Sequence, residues 1–130
     1  MTVVADSSVW VSYLRTGTEG PAGALDGLLA SEQIRMCGPV AAELLVGTPA
    51  AHRAELWTLL AGLPWADLGR EQWREVGEAA AKLRERGQTV PLTDVEIAVA
   101  ARAAEARLWS DDTDFDRIEA VVPGLKRFRA

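Results

Sequence analysis

Two aspartates in this sequence follow apolar runs in a way that suggests chemistry. Asp6 comes directly after the apolar residues 3–5, and Asp112 comes shortly after the apolar residues 108 and 109. Apolar runs without alternation are typical of strands buried on both faces of a parallel sheet. Ligands bind to such sheets beyond the carboxyl ends of the strands. We therefore expect both carboxylates to lie at the same edge of one sheet.

Asp6 also has a purely structural interpretation, because Asp is a favoured N-cap residue of helices. Ser7 and Ser8 follow it, however, and serine hydroxyls cap helices equally well. We expect the two serines to cap the helix that begins here and Asp6 to be free for the site.

Two further acids are predicted to lie on helices. Glu43 borders the apolar arc of a helix predicted over 40–46, where its carboxylate can lean over the edge of the core. Asp94 lies inside a Thr93–Glu96 capping box, which predicts a helix from there to about Arg107. Asp94 projects on the same side as the apolar positions 97, 98 and 101. For each acid alone, a solvated side chain or a favourable interaction with the helix dipole is the alternative.

Asp111, Asp112 and Asp114 crowd three carboxylates into four residues after a predicted strand. Like charges at short range either raise one another's pKa or recruit a cation. The alternative is a solvated acidic loop in which Thr113 or Asp114 caps a short helix. Whether Asp111 or Asp112 points into the site remains open at this stage.

The elements that must position these acids alternate between short apolar runs and amphipathic segments. This order predicts an α/β fold, a sandwich with a central, mostly parallel sheet, in a single domain over residues 1–130. The predicted strands cover residues 3–5, 34–37, 108–110 and 125–128, and a short strand limited by its proline is expected within residues 63–68. The predicted helices cover residues 9–14, 21–31, 40–46, 49–61, 70–86 and 93–107.

The composition excludes several classes of site. Cys37 and His52 are the only cysteine and histidine, which argues against thiolate or histidine-rich metal sites and against a Ser-His-Asp triad. The net charge of −5 argues against nucleic-acid binding through a broad basic surface. No signal peptide or membrane-spanning run is visible, so we expect a cytoplasmic protein with no membrane association.

Four carboxylates from distant parts of the chain can therefore meet at one sheet edge. With no basic residue at matching positions, a hard divalent cation, Mg²⁺ or Mn²⁺, is the natural counter-charge. An all-acid cation site suits phosphodiester hydrolysis, because the cation polarises the phosphoryl group and lowers the pKa of a water.

At these positions the sequence resembles the PIN-domain family, and in particular the VapC-type ribonuclease toxins of bacterial toxin–antitoxin modules. The resemblance rests on the segments at residues 6–10, 42–47, 91–94 and 108–115 and spans nearly the whole chain. It implies a PIN-like α/β/α sandwich and a metal-dependent endoribonuclease.

The resemblance also implies roles for individual residues. Asp6 and Asp94 would hold the metal most directly, Glu43 and Asp112 would orient waters or a second ion, and Asp114 would be an accessory ligand. Ser110 matches a hydroxyl position that helps to place water or metal. Which carboxylate acts as the base stays open.

The partners implied are RNA, a VapB-type antitoxin and a second copy of the chain in a homodimer. Arg15, Arg84 and Arg86 are candidates for contacts with the RNA backbone, and Trp10 or Trp57 is a candidate to face a partner. An apolar groove for the antitoxin has these candidates, although core packing is the alternative for most of them: Leu25, Leu28, Leu29, Leu56 and Leu60.

Two rival interpretations remain. A receiver-type phosphoacceptor domain also combines a parallel α/β fold with acids and Mg²⁺, but it requires adjacent acids after the first strand and a late lysine. A degenerate PIN domain would bind RNA or a partner without cleaving anything.

Overall fold

A parallel sheet runs through the centre of the molecule, which is described for residues 1–130 by a computed structural model. Strand β1 (Val3–Ala5) pairs in parallel with β2 (Arg107–Trp109), and β2 pairs in parallel with β3 (Lys126–Arg127). Val4 stands opposite Leu108, and Leu108 opposite Arg127. The predicted α/β fold with a parallel sheet flanked by helices is confirmed.

Two predicted strands are reduced to single bridges on the other side of β1. Ile34 bridges to Val3, and Met36 bridges to Trp65, both in the parallel sense. Pro64 lacks an amide hydrogen, and Gly38 already belongs to the next helix, so neither segment can extend its ladder. The predicted strand at 34–37 is therefore too long, and the short strand expected within 63–68 is a single bridge at Trp65.

Seven α-helices and one 3₁₀ turn surround the sheet. Most agree with the predicted helices, because glycine or proline lies at or next to most of their ends. Their bounds are α1 (Ser7–Thr16), the 3₁₀ turn (Gly17–Glu19), α2 (Ala24–Ala30), α3 (Gly38–Val46), α4 (Ala50–Ala61), α5 (Arg70–Glu85), α6 (Leu92–Ala103) and α7 (Asp114–Glu119).

The predicted limits of α6 are wrong at both ends. No side chain caps this helix; Pro91 precedes it and accepts the amide hydrogen of Asp94 with its own carbonyl, so the Thr93 capping box does not form. At the other end, Glu105 adopts a left-handed φ of 56° and turns the chain into β2. The helix therefore stops at Ala103. Helix α2 likewise begins at Ala24, after a turn, and not at Pro21.

Helix α6 is the central helix of the fold. It packs against β1 and β2 and against α3, α5 and α7. Six of its residues are buried, and three of those are alanines, whose small side chains allow the neighbouring elements to approach closely. The larger core side chains include Trp10, Phe115, Leu108 and Ile118, all fully buried. No helix in the structure is both long enough and apolar enough to cross a membrane.

Candidate active site

The acidic residues gather where β1 and β2 end. Asp6 follows β1 and donates its backbone N–H to the carbonyl of Trp109, the last residue of β2, at 3.0 Å. Ser110 and Asp112 follow β2. The parallel pairing of the two strands thus brings the start and the end of the chain to one edge of the sheet, as the sequence predicted.

Asp6 is buried and holds this edge together through both carboxylate oxygens. Its Oδ1 accepts hydrogen bonds from the hydroxyl of Ser8 at 2.7 Å and from the backbone N–H of Val9 at 3.2 Å. Its Oδ2 accepts a hydrogen bond from the hydroxyl of Ser110. Asp6 is therefore itself the N-cap of α1, and the prediction that Ser7 and Ser8 do the capping is wrong, since both lie inside the helix.

Ser110 links Asp6 to the acidic loop. While its hydroxyl donates to Asp6, its Oγ accepts the backbone N–H of Asp112 at 3.0 Å. Asp112 in turn accepts the backbone N–H of Asp114 with Oδ1 at 2.9 Å. One chain of hydrogen bonds thus fixes the loop from the buried Asp6 out to the first residue of α7.

Three carboxylates form the part of the site that can hold a metal ion. One oxygen from each of Asp94, Asp112 and Asp114 lies within 4.8 Å of the others. Asp94 is half-buried in the first turn of α6, while Asp112 is exposed. Asp111 is also exposed and does not belong to this group, so the geometry favours Asp112 in the site.

Glu43 stands apart from this group, at the exposed side of the site. Its Oε1 accepts a hydrogen bond from the hydroxyl of Ser7 at 2.6 Å, which ties α3 to α1. The structure therefore divides the five predicted site residues. Asp94, Asp112 and Asp114 lie together. Asp6 is buried and accepts a hydrogen bond from Ser110, and Glu43 is exposed and accepts one from Ser7.

A basic residue also belongs to the site, contrary to the expectation from sequence. Arg117, one turn along α7, forms an ion pair with Oδ1 of Asp114. Sequence reasoning missed this contact although the signal was present, because residues three apart on a helix face each other. Ser7 was missed as a partner of Glu43, since nothing in the sequence links residues 36 positions apart.

The electrostatics of the site favour a cation. Burial, followed by the negative charges of Asp112, Glu43, Asp114 and Asp6, raises the pKa of Asp94 to about 6. Burial and the charge of Glu43 also raise the pKa of Glu96, which follows Asp94 by two residues on α6. Carboxylate oxygens converging from two elements are the ligands that Mg²⁺ and Mn²⁺ prefer. These residues therefore fit a hard divalent cation.

The thiol of Cys37 is not suited to catalysis or to metal binding. Cys37 is fully buried, and burial raises the pKa of its thiol to about 12. A thiol that remains protonated at neutral pH is a poor nucleophile and a poor metal ligand.

A match to a protein-family model shows which family this chain belongs to. The family model described as "PIN domain" matches residues 3–121. The chain belongs to the PIN-domain family. The match includes all five predicted site residues of this PIN domain, and it excludes the receiver-type alternative. No curated protein sequence matches the chain.

Solved structures with the same fold include toxin–antitoxin complexes. A chain of VapBC2 from Rickettsia felis bound to promoter DNA superposes with a TM-score of 0.75 at 20% identity, covering 98% of both chains. A chain of FitAcB from Neisseria gonorrhoeae gives 0.71 at 18% identity, covering 98% of this chain and 97% of that one. A chain of VapBC-1 from nontypeable Haemophilus influenzae gives 0.74 at 17% identity, with the same coverage. The PIN fold thus extends over nearly the full length of these chains.

The apolar groove suggested by the leucine pattern is not a surface feature. Leu25 and Leu60 are fully buried, and Leu28 is 9% exposed. Leu29 and Leu56 pack partly buried against the same core. Core packing, the alternative considered from sequence, is therefore the correct interpretation for these residues.

Different apolar side chains are exposed around the site. Val11 and Leu14 of α1 line a cleft of about 250 Å³ that Arg15 and Glu43 also line. Val46 and Trp73 line a second cleft of about 620 Å³, which Glu43 also lines. Trp10 is buried in the core, so of the two tryptophans suggested as partner-facing only Trp57 is exposed.

Proposed function

We propose that this PIN domain is a Mg²⁺-dependent endoribonuclease, the toxin component of a VapBC-type toxin–antitoxin system. The observation that carries the proposal is the convergence of Asp94, Asp112 and Asp114 at the carboxyl edge of the sheet, with Asp6 fixed behind them. The family match and the fold shared with VapBC complexes support a nuclease toxin. The proposed place of action is the cytoplasm.

In this proposal Asp94, Asp112 and Asp114 hold the cation, Mg²⁺ or Mn²⁺, with Asp6 behind them. When bound, the cation polarises the phosphoryl group and lowers the pKa of the attacking water. The chain's own residues supply the rest of the chemistry. Asp6, locked by three hydrogen bonds, orients Ser110 and thereby the backbone of Asp112.

Glu43 has a different role in this proposal. It is exposed and is held by a single hydroxyl, that of Ser7. It lies outside the group formed by Asp94, Asp112 and Asp114, here called the carboxylate trio. A carboxylate in that position can orient a water molecule and accept its proton. Because the net charge of the chain is −5, attraction of the RNA backbone depends on the cation and on local arginines such as Arg15, which shares a cleft with Glu43.

The nuclease proposal is tested by cleavage of a fluorescent RNA with and without Mg²⁺. We expect cleavage that EDTA abolishes and that Asp94→Asn and Asp112→Asn each reduce by at least a hundredfold. Asp111→Asn is the matched control, because Asp111 is a neighbouring exposed aspartate outside the carboxylate trio. Full activity of folded Asp94→Asn would overturn the metal assignment. RNA binding without any cleavage by the unmodified protein would favour the degenerate PIN alternative.

The antitoxin is proposed to cover the cleft between α1 and α3. Val11 and Leu14 are each about half exposed there, at 49% and 50%, and Glu43 also lines the cleft. An apolar antitoxin segment seated on them would also block the acidic site.

In co-expression, the antitoxin encoded by the adjacent reading frame should relieve growth arrest by the unmodified protein but not by Leu14→Asp. Leu59→Asp is the control, since Leu59 is also 50% exposed but lies on α4. Equal relief of both variants would contradict this placement.

A homodimer is proposed to form over the second cleft. Val46 is 84% exposed and Trp73 is 50% exposed there, so a monomer would leave both in water. Light scattering coupled to gel filtration should give twice the chain mass of 14.0 kDa for the unmodified protein and a monomer for Trp73→Glu. Trp57→Glu, which changes a tryptophan of similar exposure on α4, should remain dimeric.

A further inference from the structure

Arg117 is the basic side chain in contact with the carboxylate trio. It lies in the last turn of the short helix α7, and its Nη2 contacts Oδ1 of Asp114. The two side chains are 39% and 24% exposed, so water screens their attraction only in part. Asp94 and Asp112 have no ion pair with any residue of the chain.

The guanidinium of Arg117 and a bound divalent cation would both contact the carboxylate of Asp114. Asp114 contributes one of the three oxygens that lie within 4.8 Å of each other. An oxygen lone pair that accepts from Arg117 is not available to a metal ion at the same moment. A partly exposed ion pair is weak, however, and contributes on the order of 1 kcal/mol at most. A divalent cation shared by three carboxylates can displace it.

We propose that Arg117 is the internal counter-ion of Asp114 in the cation-free site and that it gives way when the divalent cation binds. Arg117 therefore lowers the affinity of the site for the cation and sets the concentration at which the site fills. It is a positioning residue and holds no catalytic role. This inference rests on the proposed function, because it assumes that the carboxylate trio binds a divalent cation.

The test is a titration with Mn²⁺, with free Mn²⁺ measured by electron paramagnetic resonance. We expect Arg117→Gln to bind Mn²⁺ about threefold to fivefold more tightly than the unmodified protein, which corresponds to loss of a competing pair worth roughly 1 kcal/mol. Arg117→Met, which retains the apolar stem of the side chain, should behave in the same way and serves if the glutamine variant folds poorly.

Arg74→Gln is the charge-matched control. Arg74 also forms an ion pair within its own helix, with Glu78 four residues away at 3.2 Å, but on the exposed face of α5. We expect its Mn²⁺ affinity to be unchanged. An equal gain in Arg74→Gln would indicate a general effect of net charge and would overturn the inference, as would unchanged or weaker binding in both Arg117 variants. Absence of Mn²⁺ binding by the unmodified protein would overturn the proposed metal dependence together with this inference.

Discussion

At the scale of single residues, one hydroxyl connects the two strand ends that build the site. Ser110 donates to the buried Asp6 and accepts the backbone N–H of Asp112. It is only 1% exposed, so water cannot replace either hydrogen bond if the hydroxyl is removed. The sequence placed Ser110 near the site, and the structure shows which atoms it joins.

We predict that Ser110→Ala weakens both stability and cation binding. A hydrogen bond to a charged group contributes about 1.5–3 kcal/mol, so the free energy of unfolding should fall by roughly 2 kcal/mol. The Mn²⁺ affinity should fall by about tenfold or more, as for other residues that orient metal ligands. Urea denaturation and Mn²⁺ titration measure the two effects. Ser31→Ala, which removes an exposed hydroxyl with local partners only, should change neither.

We predict that Asp94 makes the cation-free protein less stable as pH rises. The folded pKa of about 6 lies above the unfolded value of 3.8, so the folded state binds more protons between these pH values. The free energy of unfolding should therefore fall from about pH 4 to pH 6 and stay lower above pH 6.

Asp94→Asn removes this dependence, which gives a direct measurement. In EDTA at pH 7 it should be more stable than the unmodified protein by about 1 kcal/mol, a figure reduced for solvent screening. Below pH 4 the two proteins should be equally stable. Urea denaturation across this range checks the sign, and a variant with an unchanged slope would contradict the assigned role of Asp94. Asp111→Asn should retain the slope of the unmodified protein.

At the scale of elements, Arg127 of β3 holds α7 and the acidic loop against the sheet. Its side chain is 6% exposed and contacts Asp116 at 3.1 Å and Glu119 at 3.4 Å, both on α7. It also donates to the backbone carbonyl of Ser110 at 3.2 Å. The last strand thereby braces the loop from which Asp112 and Asp114 reach the site.

We predict that Arg127→Met lowers the free energy of unfolding by about 1–3 kcal/mol, because it removes the donor to Ser110 and both ion pairs. Hydrogen exchange of the amides of residues 110–114 should become faster, since the loop loses its brace. Arg129→Met, two residues further along the chain and exposed, is the control and should change neither measurement. Unchanged exchange in Arg127→Met would show that the loop is held without β3.

Helices were predicted from sequence more accurately than strands. Helix α5, with Trp73, Val76, Ala80 and Leu83 on a 3.6-residue period, has the predicted start and ends one residue early. The segments at 34–37 and 63–68 shrink to single bridges because Pro64 lacks an amide hydrogen and α3 already begins at Gly38. Which neighbour each segment pairs with depends on the tertiary structure. The capping box at Thr93 does not form, because α6 begins at Leu92 directly after the rigid Pro91.

At the scale of the whole molecule, folding concentrates negative charge at one edge. Asp6, Glu43, Asp94, Asp112 and Asp114 come from four separate parts of the chain, and only Asp114 has an ion-pair partner. Gathering like charges opposes folding, and a bound cation offsets this repulsion. Stability and activity should therefore respond to the same ion.

We predict that divalent cations raise the melting temperature of the protein. At a hundredfold excess over the dissociation constant, the stabilisation should be about 2.7 kcal/mol, and EDTA should reverse it. Differential scanning fluorimetry with MnCl₂ measures the shift. In Asp94→Asn the shift should be largely lost, whereas Asp111→Asn should respond as the unmodified protein does. A shift of equal size in Asp94→Asn would contradict a site built on this residue.

The sequence alone determined the α/β class and most helices, because these depend on local periodicity, and it predicted that acids placed after apolar runs would lie at one sheet edge. Only the tertiary structure decided how the five acids divide, with three together, Asp6 locked behind Ser110 and Glu43 held by Ser7. It also decided that Asp6 caps α1 while serving the site. The division of the acids depends on contacts between residues up to 104 positions apart in the chain, and no local pattern encodes such contacts.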